Sequence, residues 1–123
     1  MKNILLLGAT GSIGKSVLSV ISENKNKFNL MGISFNSNYS KAEEIIKNFL
    51  PKYVYIDDHD CYVKNATNNE CTFLNGDSSL EQLIKNTEID IIICATSGFA
   101  GLKAASIAVT TGKKILLANK ESI

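Results

Sequence analysis

The stretch Gly8-Ala9-Thr10-Gly11-Ser12-Ile13-Gly14 lies between an apolar run, Ile4 to Leu7, and a segment of helical periodicity, Ser12 to Ile21. This order leaves few folds open. A strand apolar at successive positions is buried on both faces, as happens in a parallel sheet covered by helices. A helix that follows such a strand directly needs a turn that small residues alone can make.

The rest of the chain repeats the alternation. Leu30 to Phe35 reads as a second strand. Ser40, with Glu43 at capping-box spacing, opens a predicted helix that runs to about Phe49, and Pro51 lies just past it. Tyr53 to Ile56 is a short β-branched and aromatic strand. Residues 57–76 are the least legible, with a short helix and a strand at Cys71 to Leu74 expected there. Ser78 to Lys85 reads as a helix and Ile89 to Cys94 as a buried strand. Gly98 to Thr111 is an Ala-rich helix stopped by Gly112, and Lys114 to Ala118 is the last strand. Alternation with short loops predicts an α/β fold, a Rossmann-type doubly wound, mostly parallel sheet with helices on both faces. Residues 1–123 are expected to form one such domain.

In that fold the turn after the first strand is where a dinucleotide's diphosphate sits. Gly8 allows the tight turn, Gly11 a close approach of backbone to phosphate, and Gly14 close packing of helix on strand. Thr10 and Ser12 add hydroxyl donors. Amides at a helix start have no partner within the helix and lie in a positive dipole field, which suits an anion. The spacing is G-x-x-G-x-x-G with no G-K-[ST] ending, so a P-loop triphosphate site is not expected.

The end of the second strand selects the cofactor. An NAD site places Asp or Glu there to accept from ribose hydroxyls. Here Asn36, Ser37, Asn38 and Ser40 stand instead, with Lys41 following, which favours NADPH. Ser40 also reads as a helix cap only.

Charge and composition exclude other classes. A net charge of +1 provides no field for nucleic acid or an anionic membrane, so neither is an expected partner. Lysine supplies all 13 basic residues, so no guanidinium fork is available and phosphate must be held by amides, hydroxyls and Lys. Three cysteines without a C-x-x-C pair argue against a disulfide framework or zinc site. Cys94, in the most apolar strand, reads as a buried inert thiol. Asp57-Asp58-His59-Asp60 offers metal-type ligands, but neighbours on one loop rarely converge on one ion, and a solvated turn with helix capping is the simpler reading. Ser97 reads equally as a nicotinamide contact or as loop packing. Glu43 and Glu44 read as a solvated helix face, and Lys113 and Lys114 as ordinary charges at a helix end.

The end of the chain is more specific. Leu117-Ala118-Asn119-Lys120-Glu121-Ser122 resembles the L-A-N-K-E-S segment of the 1-deoxy-D-xylulose 5-phosphate reductoisomerase family. The glycine turn, Phe49-Leu50-Pro51-Lys52-Tyr53 and Gly98-Phe99-Ala100-Gly101-Leu102 resemble that family in the same order. The resemblance implies an NADPH-dependent enzyme of non-mevalonate isoprenoid biosynthesis. It would rearrange the phosphosugar 1-deoxy-D-xylulose 5-phosphate and reduce the product to 2-C-methyl-D-erythritol 4-phosphate, with a Mg or Mn ion polarising the carbonyl. It further implies that Thr10, Gly11, Ser12 and Ile13 line the cofactor's phosphates and ribose, and that Asn38 faces the 2′-phosphate. Asn119 and Glu121 would contact the cofactor, and Lys120 the substrate.

Where the family often has Gly-Lys-Asn, this chain has Asn36-Ser37-Asn38, so the Lys charge is missing and Lys41 is the nearest substitute. The family's metal ligands, substrate-phosphate serines and lid come after the A-N-K-E-S segment. The chain is therefore expected to be the cofactor-binding part of a larger enzyme, inactive alone. The family also implies a homodimer in the bacterial cytoplasm, or in a plastid-type organelle if a transit peptide was removed. The competing readings are a semialdehyde dehydrogenase, which the A-N-K-E-S ending does not fit, and a non-enzymatic dinucleotide-binding or redox-sensing module.

Overall fold

A computed structural model describes residues 1–66, 71–96 and 99–117. Six strands and five helices alternate: β1 Lys2–Leu7, α1 Ser12–Glu23, β2 Phe28–Phe35, α2 Tyr39–Phe49, β3 Tyr53–Ile56, α3 His59–Asn65, β4 Thr72–Leu74, α4 Asp77–Lys85, β5 Ile91–Cys94, α5 Phe99–Thr110 and β6 Lys114–Leu117. The strands form one sheet in the order β4-β3-β2-β1-β5-β6. Every pairing is parallel. The chain winds outward from β1 to β4, then returns to the other side of β1. The carboxyl ends of β1 and β5 therefore flank the crevice where the winding reverses.

Period-2 alternation of apolar side chains produces two cores. Ile4 and Leu6 of β1 join Leu18 and Ile21 of α1 and Ile45 and Ile46 of α2 on one face. Leu5 and Leu7 join Leu83 and Ile84 of α4 and Ala104 and Ala108 of α5 on the other. In β2 the alternation is reset: the register shifts so that Ile4 pairs Leu30 and Leu5 pairs Gly32. The extra residue, Met31, faces the second core while Leu30 and Ile33 both face the first. A bulge keeps both faces apolar where strict alternation would fail.

The predicted order of elements holds; β5 begins at Ile91 and not Ile89, the starts of α4 and α5 each differ by one residue, and the cap of α2 moves. Asn38, not Ser40, is the N-cap of α2; its Oδ1 accepts from the Lys41 backbone N–H at 3.2 Å. Asn satisfies the orphan amide at the same three-residue spacing two positions earlier, so the Ser40–Glu43 box does not form. Glu43 pairs instead with Lys47 on the solvated face, 3.6 Å away. Lys113 is also more than a surface charge: its Nζ donates to the Asn86 carbonyl, and burial lowers its pKa. This contact ties the turn after α5 to the end of α4.

Candidate functional site

The turn after β1 is held from the neighbouring strand. The Gly8 N–H donates to the Ser34 hydroxyl at 2.9 Å and to the Ser34 carbonyl at 3.1 Å, and the Ala9 N–H donates to the same carbonyl at 2.8 Å. Among the described residues Ser34 is the polar one buried in the core, and anchoring this turn accounts for it.

Gly8 has φ +83°, and a Cβ there would lie 2.6 Å from Thr96 Cγ2. At Gly14 a Cβ would lie 2.5 Å from the Gly8 carbonyl oxygen, so helix and turn touch backbone to backbone. Gly11 differs. Its φ of −80° suits any residue, and the nearest atom to a Cβ would be the Gly8 carbonyl oxygen at 3.8 Å. Space is open at Gly11 and filled at Gly8 and Gly14. The packing thus requires glycine at Gly8 and Gly14 and leaves Gly11 uncrowded.

Helix α1 starts at that open position with neither a side-chain cap nor an acidic residue in its first turn. Its first amides therefore keep their donors for an anion, and the positive end of the dipole is unneutralised. The fit to a diphosphate rests on this cradle: a backbone turn, a cleared approach and free amides.

A cleft of about 450 Å³ runs along the carboxyl ends of the central strands. Gly8, Thr10 and Gly11 line it, with Asn36 after β2 and Ala95 and Thr96 after β5. Ser12 and Ile13 are not among its lining residues; they sit in the first turn of α1 beside it. The loop after β2 is divided. Ser37 lines a second, shallower recess with Ser40, Glu43, Asp58 and Lys64. Asn38 is spent as a cap through Oδ1, which leaves its Nδ2 donors with no acceptor among the described residues. Lys41 is exposed and lines neither recess. Asn119, Lys120, Glu121 and Ser97 lie outside the described residues.

Several site residues escape a sequence reading. Ser34 was legible only as a polar residue in an apolar strand. The Thr96 hydroxyl is buried, with no hydrogen-bond partner among the described residues, against the cleft. Asp57 and Tyr55 line the cleft from β3. The end of β2 carries no carboxylate, as the sequence indicates, but the adjacent strand brings one to the same cleft. Burial raises the Tyr55 phenol pKa, the Asp57 charge adds to this, and a bond from the Gly76 backbone opposes it.

The acidic stretch resolves into structure. Asp58 caps α3, accepting from the Cys61 N–H at 2.9 Å, and His59 Nδ1 lies 3.2 Å from Asn75 Oδ1. Among the described residues no three His, Cys, Asp or Glu side chains are grouped to hold a metal. Cys94 is buried, and burial alone raises its thiol pKa.

Residues 4–123 match the sequence profile described as 1-deoxy-D-xylulose 5-phosphate reductoisomerase. The chain belongs to that family. The 1-deoxy-D-xylulose 5-phosphate reductoisomerase of Ruthia magnifica subsp. Calyptogena magnifica is 40% identical over 125 residues, covering 100% of this chain and 33% of its own. A crystal structure of DOX-P reductoisomerase in complex with NADPH, fosmidomycin and magnesium superposes with a TM-score of 0.89 at 31% identity, covering 99% of this chain and 31% of that one. The Zymomonas mobilis reductoisomerase in complex with NADPH gives 0.84 at 31% identity, over 98% of this chain and 32% of that one. The chain thus spans about a third of the length of these reductoisomerases. No helix among the described residues is long and apolar enough to cross a membrane.

Proposed function

We propose that residues 1–123 form the NADPH-binding domain of an enzyme that converts 1-deoxy-D-xylulose 5-phosphate into 2-C-methyl-D-erythritol 4-phosphate. The observation that carries this is the start of α1: uncapped, without an acid, opening on a glycine with free space above it. Family membership and the NADPH complexes of its structural relatives support the same reading.

When bound, NADPH supplies the hydride. The chain's own residues bind and orient. The first amides of α1, with Thr10, Gly11, Ser12 and Ile13, hold the diphosphate and its ribose; the macrodipole stabilises the charge without a guanidinium. Asn36, Ser37 and the free Nδ2 donors of Asn38 receive the 2′-phosphate, with Lys41 adding only its charge from one helical turn away. Neutral donors there make the preference for NADPH over NADH smaller than an Arg or Lys clamp would give. Asn119 and Glu121 contact the cofactor, and the Lys120 ammonium faces the phosphosugar, where it neutralises charge developing on a substrate oxygen. A Mg or Mn ion, held in the family by residues that follow the A-N-K-E-S segment, would polarise the substrate carbonyl. A homodimer in the cytoplasm is the assembly and location this reading carries. The buried, unactivated Cys94 does not suit a redox sensor.

Titrating the protein with NADPH and NADH, followed by nucleotide fluorescence, tests the reading. Saturable binding with NADPH tighter is expected; tighter NADH binding overturns the cofactor assignment. Residues 1–123 incubated with NADPH, Mg and substrate should yield no product, and measurable turnover would show that this domain is not merely the cofactor-binding part.

A further inference from the structure

We propose that Asp57 selects the base of the nucleotide, its carboxylate accepting from the exocyclic amino group of adenine. The inference rests on the dinucleotide reading above and extends it to a residue with no assigned role.

The sheet sets out the ligand strand by strand. The diphosphate cradle lies on β1, and Asn36, one strand outward, ends β2. Asp57 ends β3, the next strand outward, so it stands two strand spacings from the cradle, roughly 10 Å. An adenosine lying along the crevice brings its base there after its ribose has passed Asn36. Asp57 is fixed in this place. Its N–H donates to the Phe35 carbonyl at 2.9 Å, and its carbonyl accepts from Asn75 Nδ2 at 3.3 Å, the same amide that holds the Ile56 carbonyl at 2.7 Å.

The surroundings suit a flat base. The Tyr55 ring, almost wholly buried, and Leu80 of α4 give the cleft apolar surface on this side. The carboxylate is exposed at the rim of the cleft, and no donor or cation among the described residues pairs with it. Asp57 lines the same cleft as Tyr55 and Leu80. An ionised carboxylate only accepts, so it favours a base edge that donates and opposes one that presents a carbonyl. Adenine donates from its amino group; hypoxanthine carries a carbonyl oxygen in that place.

The test compares NADPH with its deamino analogue, nicotinamide hypoxanthine dinucleotide phosphate, on the wild-type chain and on Asp57→Asn. Both affinities are measured by fluorescence titration, and circular dichroism melting confirms that the variant is folded. The wild type should prefer NADPH by about tenfold, the size of one hydrogen bond to a charged group at an open rim. Asp57→Asn should bring the ratio close to one, because an Asn amide can donate to the carbonyl. An unchanged ratio in the variant, or no preference in the wild type, overturns the proposal while leaving the cofactor site intact. A rise in affinity for both nucleotides at constant ratio also overturns it, since Asp57 would then be repelling the 2′-phosphate. Failure of the wild type to bind either nucleotide would instead bring down the dinucleotide reading itself.

Discussion

Helices α1 and α3 begin in opposite ways, and the contrast locates the site. Asp58 closes α3 by accepting from the Cys61 N–H and sets a negative charge on the positive end of its dipole. Asn38 closes α2 likewise, and α4, though opened by Gly76, has Asp77 in its first turn. Among the four helices whose starts are described, α1 alone has neither device. An uncapped start forgoes roughly 1 kcal/mol of stability. In a chain that caps or charges its other described helix starts, this omission is what the proposed diphosphate site at α1 requires.

Substitutions can break or sharpen this contrast. The largest effect is expected from Gly14→Ala. Its Cβ would meet the Gly8 and Ala9 carbonyl oxygens at 2.5 and 2.6 Å, and backbone cannot yield as a side-chain tip does. The loss should reach about 3 kcal/mol or more, read from urea denaturation. Gly11→Asp makes α1 resemble α3. The position has room and ordinary backbone angles, so stability should rise by about 0.5–1 kcal/mol. NADPH affinity should nonetheless fall about a hundredfold, roughly 2.7 kcal/mol, because a carboxylate would occupy the diphosphate's place. Retained affinity in that variant would remove α1 as the anion site. Asp58→Ala, the converse change, should cost about 1 kcal/mol in thermal or urea melts.

The smallest effect belongs to the middle of a helix. Glu81 accepts from Lys85 at 2.6 Å on the exposed face of α4, and this bond and charge lower its pKa. A depressed folded value means the pair contributes above the ordinary glutamate range and stops contributing as pH falls through the folded value. Because both groups are exposed, Glu81→Gln should flatten the acid limb of stability only slightly, and less still in high salt.

Much of this is legible in the sequence. The strands and the glycine turn could be read because β1, β2 and β5 are buried on both faces and because three glycines at fixed spacing leave little else to do. The start of α2 could not be fixed, since Asn38 and Ser40 are both good caps and tertiary geometry chose between them. Asp57 was equally hidden. Its sequence neighbours suggested a polar turn, and only the parallel pairing of β3 with β2 carries it beside Asn36. Contacts between adjacent strands rest on long-range register, which local periodicity does not encode.

The Ser34 anchor has a thermodynamic consequence. Two acceptors from a central strand hold the Gly8–Ala9 peptide before any nucleotide arrives. The loop's configurational freedom is therefore surrendered during folding and not at the encounter. Association should then proceed as docking onto a rigid mould, with little rearrangement of the turn and a heat-capacity change that reflects water released from the cleft.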